Sequence, residues 1–74
     1  MGRLSGFASR DIMRKLRAAG FEFDRMGKGS HEIWWQPAAR RRITIPNHSG
    51  DLPEGTVRAI VSQSGLTVDE FLSL

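Results

Sequence analysis

The sequence predicts an α+β fold in which two helices cover one face of a three-stranded antiparallel sheet. Apolar residues recur at helical spacing near the start of the chain and again after Pro53. The segment between these helices is rich in β-branched and aromatic residues, as strands are. The reversals within it are too short for the crossover that parallel strands require, so we expect an antiparallel meander. A short C-terminal helix completes the order of helix, three strands, helix and helix.

The first predicted helix runs from Ser9 to Ala19. Serine is a common capping residue, and Asp11 suits the positive end of the helix dipole. The apolar stripe consists of Ile12, Leu16 and Ala19, and Gly20 is typical of the residue that ends a helix. We expect the basic side chains to lie on the exposed surface of this helix: Arg10, Arg14, Lys15 and Arg17.

The strands follow directly. Phe21 and Phe23 alternate with charged residues, which predicts a half-buried first strand. The second strand contains His31, Ile33 and Trp35 on one side. The third runs from about Arg42 to Ile45, and Pro46 ends it.

The second helix is predicted to begin near Pro53, at a position that favours proline, and to end at Gly65. Its buried stripe comprises Val57, Ile60 and Val61. Residues Thr67–Glu70 have the pattern of a capping box, which opens the short last helix through Phe71 and Leu72.

Composition narrows the possible functions. A chain of 74 residues predicts one domain over residues 1–74. The absence of cysteine excludes a disulfide scaffold, an Fe–S cluster and a cysteine nucleophile. With only 2 histidines we expect no metal site and no cofactor. No apolar stretch approaches the ~20 residues that span a bilayer, so we expect a cytoplasmic protein with no membrane partner.

The charge distribution favours a polyanionic partner for part of the surface. Residues 1–48 carry 10 Lys or Arg against 4 Asp or Glu, a net charge of +6, whereas residues 49–74 have a net charge of −3. Nine of the 11 basic residues are arginine, whose planar guanidinium suits bidentate phosphate contacts. A basic first part and an acidic last part predict two surfaces with different partners.

Short blocks of sequence are more specific than the order of elements. They are Gly27–His31 at the start of a strand, Thr44–His48, Gly55–Ile60, Ser64–Leu66 and Asp69–Leu72. In this order and spacing they closely resemble the HicA toxin family, also called YcfA-like proteins, and the resemblance covers nearly the whole chain. Met1 to Phe7 precede the expected first helix, and the resemblance assigns them no role.

The resemblance implies a double-stranded-RNA-binding-domain-like fold and an endoribonuclease of a type II toxin–antitoxin system. It implies ribosome-independent mRNA cleavage that inhibits translation and growth, and neutralisation by a HicB-type antitoxin. The catalytic histidine of the family's Gly-Ser-His motif corresponds to His31, and the motif positions before it correspond to Gly29 and Ser30.

Elementary chemistry is compatible with this role for His31. RNA supplies its own nucleophile, the 2′-hydroxyl, so the protein need supply only proton transfer and charge stabilisation, and histidine titrates near neutrality. Without the motif, a packed or merely exposed structural histidine is the more common case. Which face of the sheet meets the helices is open, and with it whether Trp35 is core or an exposed aromatic.

Basic residues around the motif are the candidate RNA contacts. Lys28 and Arg25 are near His31 in sequence, and a glycine-containing turn lets the backbone approach a phosphate closely. The run Arg40–Arg42 and the first helix are further candidates. For any one of these basic residues, a position on a solvated surface without RNA contact is the simpler explanation. The predicted RNA-binding set is Arg25, Lys28, Gly29, Ser30, Arg40, Arg41 and Arg42. For the antitoxin, we expect contacts at Trp35 and Arg42, because aromatics and arginine dominate interface energetics.

Two alternatives stay open at this level. His48 is either a second proton carrier or a solvated turn residue, with the turn favoured. The chain is the nuclease described above, a non-catalytic RNA-binding module of the same fold, or an interaction protein that uses its acidic C-terminal part, and the first and third functions can coexist. Cleavage of mRNA in EDTA separates the first two.

Overall fold

The computed structural model describes residues 2–74, and Met1 lies outside the described residues. The elements are α1 (Ser9–Ala18), β1 (Glu22–Met26), β2 (His31–Gln36), β3 (Arg41–Pro46), α2 (Glu54–Ser64) and α3 (Val68–Leu72). The strands form one antiparallel sheet in the order β1-β2-β3. The predicted α+β class and order of elements are confirmed, and they are compatible with a double-stranded-RNA-binding-domain-like fold. No helix within residues 2–74 has both the length and the apolar character needed to cross a membrane.

The two faces of the sheet differ in what covers them. The inner face, which packs against the helices, carries Trp34, Ile43 and Ile45, all at most 1% exposed. Trp34 pairs with Ile43 across β2 and β3, so their side chains share this face. The core continues into the helices and loops through Leu4, Ile12, Leu16, Phe21, Leu52, Val57, Ile60, Val61 and Phe71.

The prediction that the first strand is half-buried is wrong. All five residues of β1 are exposed, and Phe23 is 48% exposed. Phe21, by contrast, precedes β1 and is buried in the core. The physical reason is that the helices pack mainly on β3 and on the inner side of β2, which leaves β1 as an uncovered edge strand. An irregularity in the pairing between Phe23 and Arg25 also interrupts the alternation of faces that the sequence suggests.

The start of α1 differs from the prediction at its cap. Ala8 is the N-cap residue, and the carboxylate of Asp11 accepts a hydrogen bond from the Ala8 backbone N–H at 3.0 Å. Ser9 is instead the first helical residue, and its Oγ donates to the carbonyl of Pro46 at 2.5 Å. Ser9 therefore joins α1 to the end of β3.

Lys15 is buried, which corrects its assignment to the exposed surface of α1. The residue is 8% exposed. Its Nζ donates to the carbonyls of Leu72 and Leu74, at 3.3 and 2.9 Å. The same ammonium lies 5.7 Å from the ring centroid of Phe7 and 5.5 Å from that of Phe71. Lys15 thus links α1 to the segment around α3.

The remaining helix ends agree with the sequence to within a residue. Gly20 and Gly65 both have positive φ and follow α1 and α2. Pro53 is the N-cap of α2 rather than its first helical residue. The capping box of α3 is confirmed, because Thr67 Oγ1 accepts from the Glu70 N–H at 3.0 Å and Glu70 Oε1 accepts from the Thr67 N–H at 2.8 Å.

The segment before α1 belongs to the packed structure. Leu4 is fully buried, and Phe7 packs edge-on against Phe71 with ring centroids 5.7 Å apart. The carbonyl of Phe7 accepts a hydrogen bond from the N–H of Leu52 at 2.8 Å. Residues 2–7 thus extend the core beyond the elements that the sequence indicates.

Candidate nucleic-acid interface and active site

His31 is the first residue of β2, and its side chain lies on the outer face, away from the helices. The face is fixed by pairing: Trp34 points into the core, so His31, Ile33 and Trp35 point the other way. His31 is exposed, and its partner across the sheet is Pro46. The question of which face the helices cover is thereby answered, and His31 is not a buried structural histidine.

The turn before His31 holds the rest of the Gly-Ser-His motif. The carbonyl of Lys28 accepts from the N–H of His31 at 3.1 Å, which closes a β-turn with Gly29 and Ser30 at its centre. Gly29 has φ of +60°, as hairpin turns that match the twist of the sheet require. Lys28, Gly29 and Ser30 are all exposed, so the structure brings these three predicted RNA contacts together with His31 at one end of the sheet.

A second loop meets the turn at the same end. The N–H of Asn47 donates to the carbonyl of Ser30 at 3.0 Å. The side-chain amide of Asn47 donates to Glu32 Oε2 at 2.8 Å, and Glu32 Oε1 accepts from the indole N–H of Trp34 at 3.0 Å. Glu32 therefore orients the loop and the buried indole and does not orient His31. This Asn47–Glu32–Trp34 chain supports, from the inner face, the end of the sheet where His31 begins β2.

His48 follows Asn47 at this end of the sheet, and its side chain is exposed. The described hydrogen bonds of His48 involve its backbone. Its N–H donates to Ser9 Oγ and its carbonyl accepts from Ser9 Oγ, both at 3.4 Å. These contacts favour the interpretation of His48 as a turn residue.

Trp35 forms a second feature of the outer face. The guanidinium of Arg42 lies over its ring, 4.5 Å from the centroid. Arg42 Nη1 also donates to Asp24 Oδ2 at 2.7 Å, and Arg25 Nη1 donates to the same oxygen at 2.6 Å. We call these four residues the Trp35 cluster. Arg25 pairs with Ile33, so the cluster occupies the part of the outer face that continues from His31.

The arginine run is not one surface. Arg40 lies in the turn between β2 and β3, exposed and with φ of +55°. Arg41 turns to the end of α2, where its Nη1 donates to the carbonyl of Gln63 at 3.4 Å. A Cβ at Gly65 would lie 2.6 Å from Arg41 Nε, so the absence of a side chain there admits the guanidinium. Arg42 alone of the three joins the outer face.

The structure adds three neighbours of the candidate site residues that the sequence does not indicate: Asp24, Glu32 as a loop anchor, and Asn47. The sequence gives no signal for Asp24, because it reads only as a charged residue that alternates with Phe23 in a strand. The sequence does carry a signal for Asn47, because this residue lies within the Thr44–His48 block, next to His48. Within residues 2–74, no group of three or more His, Cys, Asp and Glu side chains is arranged to hold a metal ion.

Comparison with known proteins gives one finding. No curated protein matches the chain. The family model of the HicA toxin of bacterial toxin–antitoxin systems matches residues 9–66, well over half of the 74 residues. The matched part runs from the start of α1 to the residues just after α2, and it contains His31, its turn, the Asn47 loop and the Trp35 cluster. A toxin of such a system has an antitoxin as its partner, and this chain belongs to the HicA toxin family.

Proposed function

We propose that this protein is an endoribonuclease that cleaves mRNA independently of the ribosome, with His31 as its catalytic residue. The observation that supports it most is the position of His31. In this chain of the HicA toxin family, His31 is the only histidine that lies in a strand within residues 2–74, and it is exposed at the end of the outer face, beside the turn that carries Lys28. A long, flexible substrate can reach such a site without a cleft.

The chemistry requires proton transfer at one phosphodiester. The 2′-hydroxyl of the RNA attacks the adjacent phosphorus, and the bond to the leaving 5′-oxygen breaks. His31 transfers one of the two protons involved, from the nucleophile or to the leaving group, and water carries the other. Positioned acid–base catalysis contributes roughly 10²- to 10⁴-fold, which is adequate for a toxin that acts on a large pool of mRNA. No step in this scheme requires a metal ion.

The turn before His31 supplies the phosphate contacts. Lys28 carries a charge at its start, and the backbone around Gly29 and Ser30 is open to solvent. The added Cβ of a side chain at Gly29 would meet no atom within 4 Å, so a phosphate has free access to this turn. Arg25 and Arg42 contribute less, because they share the carboxylate of Asp24. Of the arginine run, Arg40 is exposed and forms no ion pair within residues 2–74, so it is the member whose charge is most available to RNA, at the end of the sheet opposite His31.

For the partner, we propose a HicB-type antitoxin that covers the outer face and blocks His31. The Trp35 cluster offers an aromatic and an arginine already held in place on the same outer face as His31, toward the other end of β2. Aromatic and arginine side chains are the usual centres of binding energy at interfaces.

The test is cleavage of a labelled mRNA by purified protein in EDTA without ribosomes. Wild type should cleave, His31→Ala should not, and His48→Ala should retain most of the activity as the matched control. RNA binding by wild type without cleavage would instead identify a non-catalytic RNA-binding module. Loss of activity in both histidine variants would mean that His48 acts with His31.

A further inference from the structure

The arginines of the described residues differ in how closely a carboxylate lies to them. Arg25 and Arg42 share Asp24, Arg3 pairs with Asp69, and Arg58 lies 3.4 Å from Glu54. On the outer face beyond His31, the two arginines of the Trp35 cluster share one carboxylate, which leaves the cluster a net charge of only +1. An RNA backbone that follows that face meets little net positive charge.

Helix α1 presents the opposite situation. Arg10, Arg14 and Arg17 recur at spacings of four and three, which places them along one exposed side of the helix. We call these residues the α1 row. Arg14 has Asp11 at 4.0 Å, at the limit of an ion pair, and within residues 2–74 neither Arg10 nor Arg17 forms one. Three cations at regular intervals with so little compensation fit a polyanion.

The α1 row runs from the catalytic end of the sheet to the opposite end. At its start, Ser9 is hydrogen-bonded to Pro46, the residue that pairs with His31. At its end, the carbonyl of Ala19 accepts from the side chain of Gln36 at 2.6 Å, beside the turn that carries Arg40. The row spans about 10 Å at 1.5 Å per residue. A strand of RNA that leaves His31 around the end of the sheet thus meets Arg10 first.

Beside the row lies the uncovered inner side of β1. Phe23 and Met26 are 48% and 53% exposed, the exposed large hydrophobic side chains of residues 2–74. The Phe23 ring packs edge-on against Trp34 at 6.4 Å, and the Arg17 guanidinium lies 5.0 Å from the Trp34 ring. Trp34 therefore joins the α1 row to this apolar surface. Alternation of cations with an exposed aromatic is the pattern of single-stranded nucleic-acid grooves.

We propose that single-stranded RNA binds along the α1 row, with its phosphates on Arg10, Arg14 and Arg17 and with bases on Phe23 and Met26. The site extends the proposed nuclease function, on which it rests, by giving the path of the substrate away from His31. An acidic protein segment is the competing occupant. RNA is favoured because three separate cations flank only two apolar side chains, a ratio that suits nucleotides better than an apolar protein interface.

The test measures binding separately from cleavage. A fluorescein-labelled 2′-O-methyl oligonucleotide cannot be cut through its 2′-oxygen, so its anisotropy reports affinity alone across a series of salt concentrations. The variant Arg10→Gln/Arg14→Gln is compared with Arg3→Gln/Arg58→Gln, which removes the same charge elsewhere. The α1 variant should lower the salt slope of log K by about 1.4, at ~0.7 per phosphate contact, while the control keeps the wild-type slope. Phe23→Ala should weaken binding about tenfold.

The outcomes separate this proposal from the proposed function. Equal slopes in the two double variants would overturn the α1 path, whether or not wild type cleaves natural RNA. The expected slopes together with no cleavage would leave the path in place and refute the nuclease. Titration with the antitoxin tests whether an acidic protein segment binds this surface instead of RNA. If the α1 variant loses antitoxin affinity and keeps RNA affinity, the surface binds protein and the proposal is wrong.

Discussion

Arg42 covers the ring of Trp35 on the outer face, with its guanidinium carbon 4.5 Å from the ring centroid. The same guanidinium is held by Asp24, which lies two strands away in β1. Arg42 therefore reaches across β2, and it fixes the indole without burying it. Less side-chain entropy is lost when a partner binds a group that is already ordered, so this arrangement suits an interface centre.

We expect Trp35→Ala to weaken antitoxin binding at least thirtyfold, since truncation of a central aromatic typically costs ~2 kcal/mol or more. Isothermal titration with the antitoxin measures the change. Arg58→Ala, an exposed residue of α2, is the control and should bind normally. If Trp35→Ala bound as tightly as wild type, the antitoxin would not use this part of the outer face.

Arg40 and Arg41 should behave differently although they are adjacent. Arg40→Asn removes an exposed cation and introduces a residue type that tolerates positive φ. The fold should therefore be unchanged, and the salt slope of log K for RNA binding should fall by ~0.7. Arg41→Gln removes a charge at the C-terminal end of α2, which should lower the free energy of unfolding by about 0.3–1 kcal/mol and leave the slope unchanged. Anisotropy and urea unfolding of both variants check this. The reverse pattern would mean that Arg41 contacts RNA.

Lys15 is expected to be a stabilising residue despite its charge. Lys15→Met keeps most of the packing against Phe7 and Phe71, but it leaves the carbonyls of Leu72 and Leu74 without this donor. Hydrogen bonds to charged groups contribute roughly 1.5–3 kcal/mol, so the melting temperature should fall by about 6 °C or more. Thermal unfolding followed by circular dichroism measures it, with Arg10→Met on the exposed side of α1 as the control. Equal melting temperatures for the two variants would contradict the role.

The helices and β2 could be predicted from the sequence because their patterns depend on local chemistry. Gly20, Gly65 and the Thr67–Glu70 box act within a few residues of where they occur, and they ended or capped the helices as expected. Burial in β1 could not be predicted. Alternation shows that two faces differ, but it does not show whether a helix reaches that part of the sheet, so Phe23 was wrongly expected to be half-buried.

The candidate site could be predicted from the sequence only where its residues are neighbours in the chain. His31 and its turn are contiguous in the chain, so one motif identifies them together. The contacts of Asp24 with Arg42 and of Asn47 with Glu32 join residues 18 and 15 positions apart, and strand pairing alone brings them together. The run Arg40–Arg42 shows the converse error, because a turn followed by a strand sends neighbouring side chains to different surfaces.

Substitutions at Gly29 test whether the shape of the turn is needed for the cleavage that we propose for His31. Gly29→Ala adds a Cβ that meets no atom within 4 Å, but φ of +60° is unfavourable for alanine by about 1 kcal/mol. Gly29→Asn adds a larger side chain that adopts this conformation more readily. We therefore expect the Ala variant to cleave mRNA more slowly and the Asn variant to stay close to wild type, with antitoxin affinity as the check on folding. If both variants lost activity equally, the side chain itself would be obstructing the phosphate, and close backbone approach would be the reason for glycine at this position.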